Sequence, residues 1–246
     1  MRPLSAQELL DAWERGQAAP PVQRALTLLA AACPETPAED LARESIGRRD
    51  ARLLTLREWT FGPHLVSVAD CTVCGERLET AFDVAEIRVE GGEEGPAEPL
   101  SLSLSGYELT FRLPNSLDVA ALAAGEALDD ARRRLLARCL LGARGPDGEE
   151  VSPESLPETA LQAVTERMAE ADPQGDVQLA LFCPACGHAW QAAFDILSFF
   201  WTEVDAWARV LLREIHLLAS AYHWCEADIL RLSPWRRRSY LEQIGG

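Results

Sequence analysis

Two stretches of this 246-residue chain are nearly the same line. Residues 71–83 read CTVCGERLETAFD and residues 183–195 read CPACGHAWQAAFD. Both are C-x-x-C-G, then six positions ending in Ala, then Phe-Asp. No other feature constrains the fold as tightly. The spacing within each pair lets a tight turn aim both sulfurs at one point, and four thiolates are the ligand set that Zn²⁺ takes in a closed tetrahedral site. Gly75 and Gly187 stand where such a turn needs a residue free to adopt positive φ. The flanking residues predict a strand before and after each pair, so each line reads as a zinc-knuckle hairpin. Cys71, Cys74, Cys183 and Cys186 are the expected ligands of a structural Zn²⁺. The long gap between Cys74 and Cys183 leaves open whether the pairs share one ion, but the repeated flanks argue for a single site, a split zinc ribbon. Phe82 and Phe194 would then take matching core positions beside it.

Other uses of these cysteines fit less well. A redox C-x-x-C belongs at a helix start in a βαβ setting, and neither pair has one. Gly187 interrupts what would otherwise be a haem-attachment C-x-x-C-H. Four cysteines leave no open position for a catalytic water, so His188 reads as a neighbour of the site, not a fifth ligand. Cys33, Cys139 and Cys225 stand alone among apolar neighbours and read as small buried hydrophobes. Seven cysteines in a reducing compartment argue for metal or free thiols over disulfides.

No catalytic constellation is visible. P-loop, dinucleotide, zincin and nucleophile-elbow motifs are absent. His216 and His223 lie on one face of a long helical pattern, but Arg213 and Ser220 occupy the positions where a di-iron site needs Glu. The repeated Asp83 and Asp195 read as residues that cap backbone after each hairpin. The expectation is a non-enzyme. The formal net charge is −16 and every cationic side chain is arginine; such acidity disfavours a broad nucleic-acid footprint and favours protein partners. MRPLSAQELLDAWERGQ has no apolar signal-peptide core, and no apolar run is long enough to span a membrane, so the expected location is cytoplasmic. One basic end stands out: Arg231, Arg236, Arg237 and Arg238 interleave with Trp224, Trp235 and Tyr240, the residue types enriched at interface hot spots. These seven are the candidate partner-binding residues.

Hydrophobic periodicity predicts helices over 5–16, 22–32, 36–59, 116–124, 128–141, 157–171, 199–223, 225–232 and 234–244. Strands are expected over 64–69, 77–84, 107–113, 177–182 and 189–194. Glu90 to Glu98 reads as an acidic, glycine-rich loop. The fold class is therefore α+β, mainly helical, with two zinc-knuckle β-hairpins and a C-terminal helical segment. The expected organisation is an N-terminal helical segment over 1–60, a split zinc-ribbon core with inserted strand and helices over 61–196, and the helical segment over 197–246.

The ending FFWTEVDAWARVLLREIHLLASAYHWCEADILRLSPWRRRSYLEQI resembles baseplate proteins of contractile phage tails. These include the baseplate hub assembly chaperones of T-even-type phages and relatives in bacterial phage-tail-like injection systems. The resemblance is carried by the long helix with Glu214 and Ile215, the Tyr222-His-Trp224 turn, Glu226 to Leu230, Arg236 to Arg238, Tyr240 and Leu241. FRLPNSLDVAAL, residues 111–122, and both cysteine pairs are similar to bacterial versions, so the resemblance runs from Leu53 to Ile244. It implies a non-enzymatic assembly chaperone or minor structural part of a contractile baseplate, bound to hub or spike-associated proteins and found in the cytoplasm or on a tail-like particle. The alternative reading is a zinc-ribbon nucleic-acid or transcription adaptor, against which the charge of −16 counts.

Overall fold

Helix starts are set locally by side chains that take up the free N–H groups of the first turn. Ser5 accepts from the Glu8 N–H while the Glu8 carboxylate accepts from the Ser5 N–H, a complete capping box. Pro21 opens the next helix at the position where a missing N–H costs nothing. A computed structural model describes residues 1–90, 99–122, 125 and 127–244. In chain order the elements are α1 (Ala6–Gly16), α2 (Pro21–Ala32), α3 (Ala38–Arg43), α4 (Ile46–Phe61), β1 (His64–Asp70), β2 (Arg77–Asp83) and α5 (Val84–Ile87). There follow β3 (Leu100–Leu104), β4 (Tyr107–Phe111), α6 (Ser116–Ala120), α7 (Leu128–Cys139), β5 (Leu140–Arg144) and α8 (Glu158–Ala171). The chain continues with β6 (Gln178–Phe182), β7 (Ala189–Ala193), α9 (Ile196–Tyr222), α10 (Glu226–Leu230) and α11 (Pro234–Ile244). The class is α+β, mainly helical, with small antiparallel sheets.

The chain forms two compact units, and their division differs from the three consecutive segments read off the sequence. One unit joins residues 1–35 to residues 197–246; the other is 36–196. In the first, Leu10 packs with Ala208, Leu211, Ile215, Leu218 and Ile229. The Trp13 indole N–H donates to Asp205 at 2.9 Å, and Arg24 lies over the Trp201 ring at 4.8 Å. Apolar spacing along α9 shows that one face is buried but not what covers it, so the partnership with α1 was not readable. Gly16 marks the closest approach: a Cβ there would sit 2.1 Å from Trp201. We expect Gly16→Ala to lower stability by about 1–3 kcal/mol in denaturant titrations. An unchanged midpoint would mean that Trp201 is free to move aside.

In the second unit, β3, β4 and β5 form an antiparallel sheet whose Leu100, Leu109, Phe111 and Ala143 pack with Leu136 of α7 and Leu161, Val164 and Met168 of α8. Two of these strands lie where the periodicity did not place them. β3 is LSLSL, and Ser105-Gly106 turns it into β4 with φ of 50° and 86°, the left-handed pair of a tight hairpin turn. β5 ends the helix expected over 128–141 at Cys139, because Leu140 pairs with Phe111 and the Arg112 N–H donates to the Cys139 carbonyl. The helix expected over 36–59 is likewise broken. Glu44 is extended, Ser45 caps α4 and bridges to Asn115, and the Ile46 N–H donates to the Pro114 carbonyl. Asn115 caps α6, and the helix expected over 116–124 ends at Ala120. Residues 91–98, most of the acidic loop, lie outside the described residues, as do 123, 124 and 126.

Candidate metal centre

The cysteine pairs sit at the tips of two hairpins, β1–β2 and β6–β7, both within the unit of residues 36–196. The two tips repeat each other bond for bond. In the first, the Cys71 N–H donates to the Glu76 carbonyl at 2.8 Å and the Gly75 N–H to the Cys71 carbonyl at 2.9 Å. In the second, the Cys183 N–H donates to the His188 carbonyl at 2.8 Å and the Gly187 N–H to the Cys183 carbonyl at 2.9 Å. Gly75 and Gly187 have φ of 72° and 75°, the left-handed region that a side chain would disfavour.

The tips face each other crosswise. Cys71 Sγ lies 3.7 Å from Cys186 Sγ, and Cys74 Sγ lies 3.6 Å from Cys183 Sγ; all four sulfurs are within 4.8 Å of one another. A tetrahedral ion with metal–sulfur bonds of about 2.3 Å sets its sulfurs roughly 3.8 Å apart. The residues fit such an ion, and among the described residues this is the group able to hold one. Cys71 and Cys183 are buried, and Cys74 and Cys186 face outward. Phe82 and Phe194, expected in matching core positions beside the site, are half-buried and meet each other edge to face at 5.5 Å.

The four thiols also perturb one another. The Cys74 N–H aimed at its sulfur outweighs burial and holds the Cys71 thiol down to about 6. At Cys74 the Glu76 N–H favours the thiolate, but the sulfurs of Cys186, Cys183 and Cys71, with burial, push the thiol up to about 12. Cys186 is raised too: the His188 N–H favours its thiolate, as does the bond from Cys74, but burial and the sulfurs of Cys183 and Cys71 outweigh them. Like charges this close do not ionise together unless an opposite charge sits among them.

His188 stands beside the sulfurs with Nε2 3.1 Å from the Thr72 hydroxyl, and its ring stacks on Trp190. Thr72 was not singled out from sequence. It ties one tip to the other, and only the paired geometry reveals it. Asp83 caps α5 in a capping box with Glu86 and also contacts the His64 ring. His216 and His223 are exposed, and His223 takes φ of 57° as α9 ends.

The candidate partner-binding residues, in the other unit, divide into two groups. Trp224 stacks on Tyr222 at 4.8 Å and meets Tyr240 edge to face at 5.0 Å, so both rings serve the chain's own packing. Arg237 is buried, donating to Glu214 at 3.0 Å and to the Leu232 carbonyl at 2.9 Å. Trp235, 76 % exposed, faces outward with Arg231, Arg236 and Arg238.

A further ionic cluster lies in the FRLPNSLDVAAL segment, and a signal for it was present: Asn115 and Asp118 have capping-box spacing. Asp118 is buried, takes two bonds from Arg112, at 2.5 and 2.9 Å, and one from Arg138 at 3.0 Å. No helix among the described residues is long and apolar enough to cross a membrane.

Among known proteins, the family model for the T4 bacteriophage base plate protein matches residues 7–201, well over half of the chain. The matched region holds both cysteine pairs and the Asp118 cluster but stops inside α9, so most of the C-terminal stretch that first suggested the resemblance lies beyond it. No curated protein and no solved structure matches the chain.

Proposed function

Because the chain belongs to the T4 bacteriophage base plate protein family, we propose that it is a non-enzymatic, zinc-stabilised assembly factor or minor structural component of a contractile tail or injection-system baseplate. The family match over residues 7–201 is the observation that carries this reading. The four-thiolate cluster supports the zinc part: Cys71, Cys74, Cys183 and Cys186 would hold the ion, and its charge would let all four sulfurs ionise at neutral pH. A closed four-sulfur shell leaves no position for a substrate, so the ion's role is to join the two hairpins into one split zinc ribbon. The partners are hub or spike-associated baseplate proteins. Trp235, with Arg231, Arg236 and Arg238 around it, is the outward part of the basic end and the part available to them.

Fractionation of native host lysate by sedimentation, with mass spectrometric location of this protein, tests the reading. We expect it either in intact tail-like particles, as a resident subunit, or in smaller complexes with baseplate proteins, as an assembly chaperone. Migration with neither would overturn the baseplate role.

A further inference from the structure

Each hairpin of the metal centre is two strands wide, so each has two edges with no partner strand among the described residues. The ladder tells which backbone groups those edges present. In the second hairpin the Cys183 N–H donates to His188 and the Phe194 N–H donates to Val177. Pairs that exchange hydrogen bonds recur at every second residue of an antiparallel ladder. With Leu181 opposite Trp190 and Leu179 opposite Ala192 in that series, the N–H and C=O groups of Gln178, Ala180 and Phe182 point away from β7. In the first hairpin the same reasoning from Cys71–Glu76 and Val84–Pro63 turns the backbone of Glu79 and Ala81 away from β1. Asp83 is next in that row, and its N–H is taken by Glu86 at 2.9 Å. The edge of β2 is thus closed at one end, whereas all three outward positions of β6 are exposed, Phe182 among them.

The free edges share a groove. An open cleft of about 510 Å³ is lined by Thr80 to Phe82 of β2 and by Gln178 to Leu181 of β6, with no lining residue from β1 or β7 among those described. It therefore runs along the unpartnered sides of both hairpins. Its charge is one-sided. Glu86 and Asp176 line it, and the lining Arg88 is already held by Glu58 at 2.7 Å and by Thr55 at 2.7 Å. A row of free N–H and C=O groups at strand spacing recognises another extended backbone, and two carboxylates without a cation select positive side chains.

We infer that the β2–β6 groove receives an extended, basic segment of a second protein, which adds as a strand to the free edge of β6. The inference rests on the baseplate reading only in taking the occupant to be a protein.

The test uses the full chain and a short peptide of alternating Arg and Val, read by fluorescence anisotropy at low salt and by amide hydrogen exchange. With the peptide at about ten times its Kd, exchange at Gln178, Ala180 and Phe182 should slow by about tenfold. A peptide with Pro at alternate positions, which lacks the N–H groups, should not bind, and replacing its Arg with Glu should weaken binding by at least about tenfold. Ala180→Pro alters an N–H outside the ladder, so the hairpin tolerates it while peptide binding is lost. Should that variant fold poorly, the proline peptide decides alone. Absence of binding, binding without protection of the β6 amides, or equal binding of the proline peptide would overturn the inference. So would protection of the same amides on raising protein concentration alone, which would assign the edge to a second copy. None of these outcomes bears on the sedimentation result, so the two readings fail separately.

Discussion

Withdrawing the metal is expected to unfold the unit of residues 36–196. Metal analysis of protein purified under reducing conditions should find about one Zn²⁺ per chain, and a strong chelator should remove it with loss of cooperative unfolding. Structural zinc binding in small domains is worth on the order of 10 kcal/mol, as much as the whole net stability of a typical domain. The geometry explains why so little would remain: without the cation nothing bonded joins the tips of the two hairpins, whose sulfurs lie 3.6 and 3.7 Å apart across the centre. Cys71→Ser and Cys183→Ser, at the two buried positions, should yield insoluble protein or a chain without a cooperative transition. Soluble, cooperatively folding variants at both positions would sink the structural-metal reading. Acid should release the ion as well, because protons compete for the same sulfurs.

Replacement of Asp118 by alanine is the second large effect. Its side chain is 1 % exposed and is shared as counter-charge by Arg112 and Arg138, while also accepting the Asn115 N–H at 3.1 Å. Removing the carboxylate takes the shared counter-charge from both guanidiniums, and breaking a buried pair in this way costs about 3–5 kcal/mol. Both arginines reach partly into solvent, which puts the expected loss toward the lower end of that range. The pH dependence gives an independent reading. Burial alone would raise the carboxyl's pKa, but the bonds from Arg112, the Asn115 N–H and Arg138 outweigh it, so Asp118 titrates below the ordinary carboxylate range. A depressed folded-state pKa contributes stability that is present above roughly pH 4 and is lost as pH falls through the folded value. The difference in stability between the native chain and Asp118→Asn should therefore shrink on acidification. Comparison by difference matters because Asp50 acts in the opposite sense. Burial raises its pKa to about 6, so its contribution falls as pH rises from about 4 toward 6. A difference that does not change with pH would mean that Asp118 carries no charge in the fold.

Features encoded within a few residues of themselves could be read from the sequence. The knuckle turns, the span of α11 and the alternating strands beside each cysteine pair all depend on local spacing, and the repeated Phe-Asp was enough to give Phe82 and Phe194 matching positions beside the cysteines. Features settled by distant partners could not be read. Glu44 and Ser45 sit in a good helical pattern, but the Pro114–Asn115 backbone claims them. Cys139 ends a helix because Leu140 is needed beside Phe111. Arg237 is indistinguishable in sequence from Arg236 and Arg238, and it is Glu214 of α9 and the Leu232 carbonyl that hold it inward. The LSLSL strand is a different kind of miss: its alternation and Ser-Gly turn were legible, but no element was expected between the acidic loop and Tyr107.

The order of the chain also sets an order in time. The second cysteine pair follows the first by the whole β3–α8 lobe, which at roughly 5–20 residues per second is made some 6–20 s after Cys71 leaves the peptidyl-transferase centre. During that interval Cys71 and Cys74 are half a site, able to hold an ion only loosely or to lose it to another thiol. The helices of residues 1–35 wait longer still, because the residues that complete their unit begin at Leu197. The contiguous unit of residues 36–196 therefore has its whole chain in hand before the helices of residues 1–35 have the residues that complete theirs.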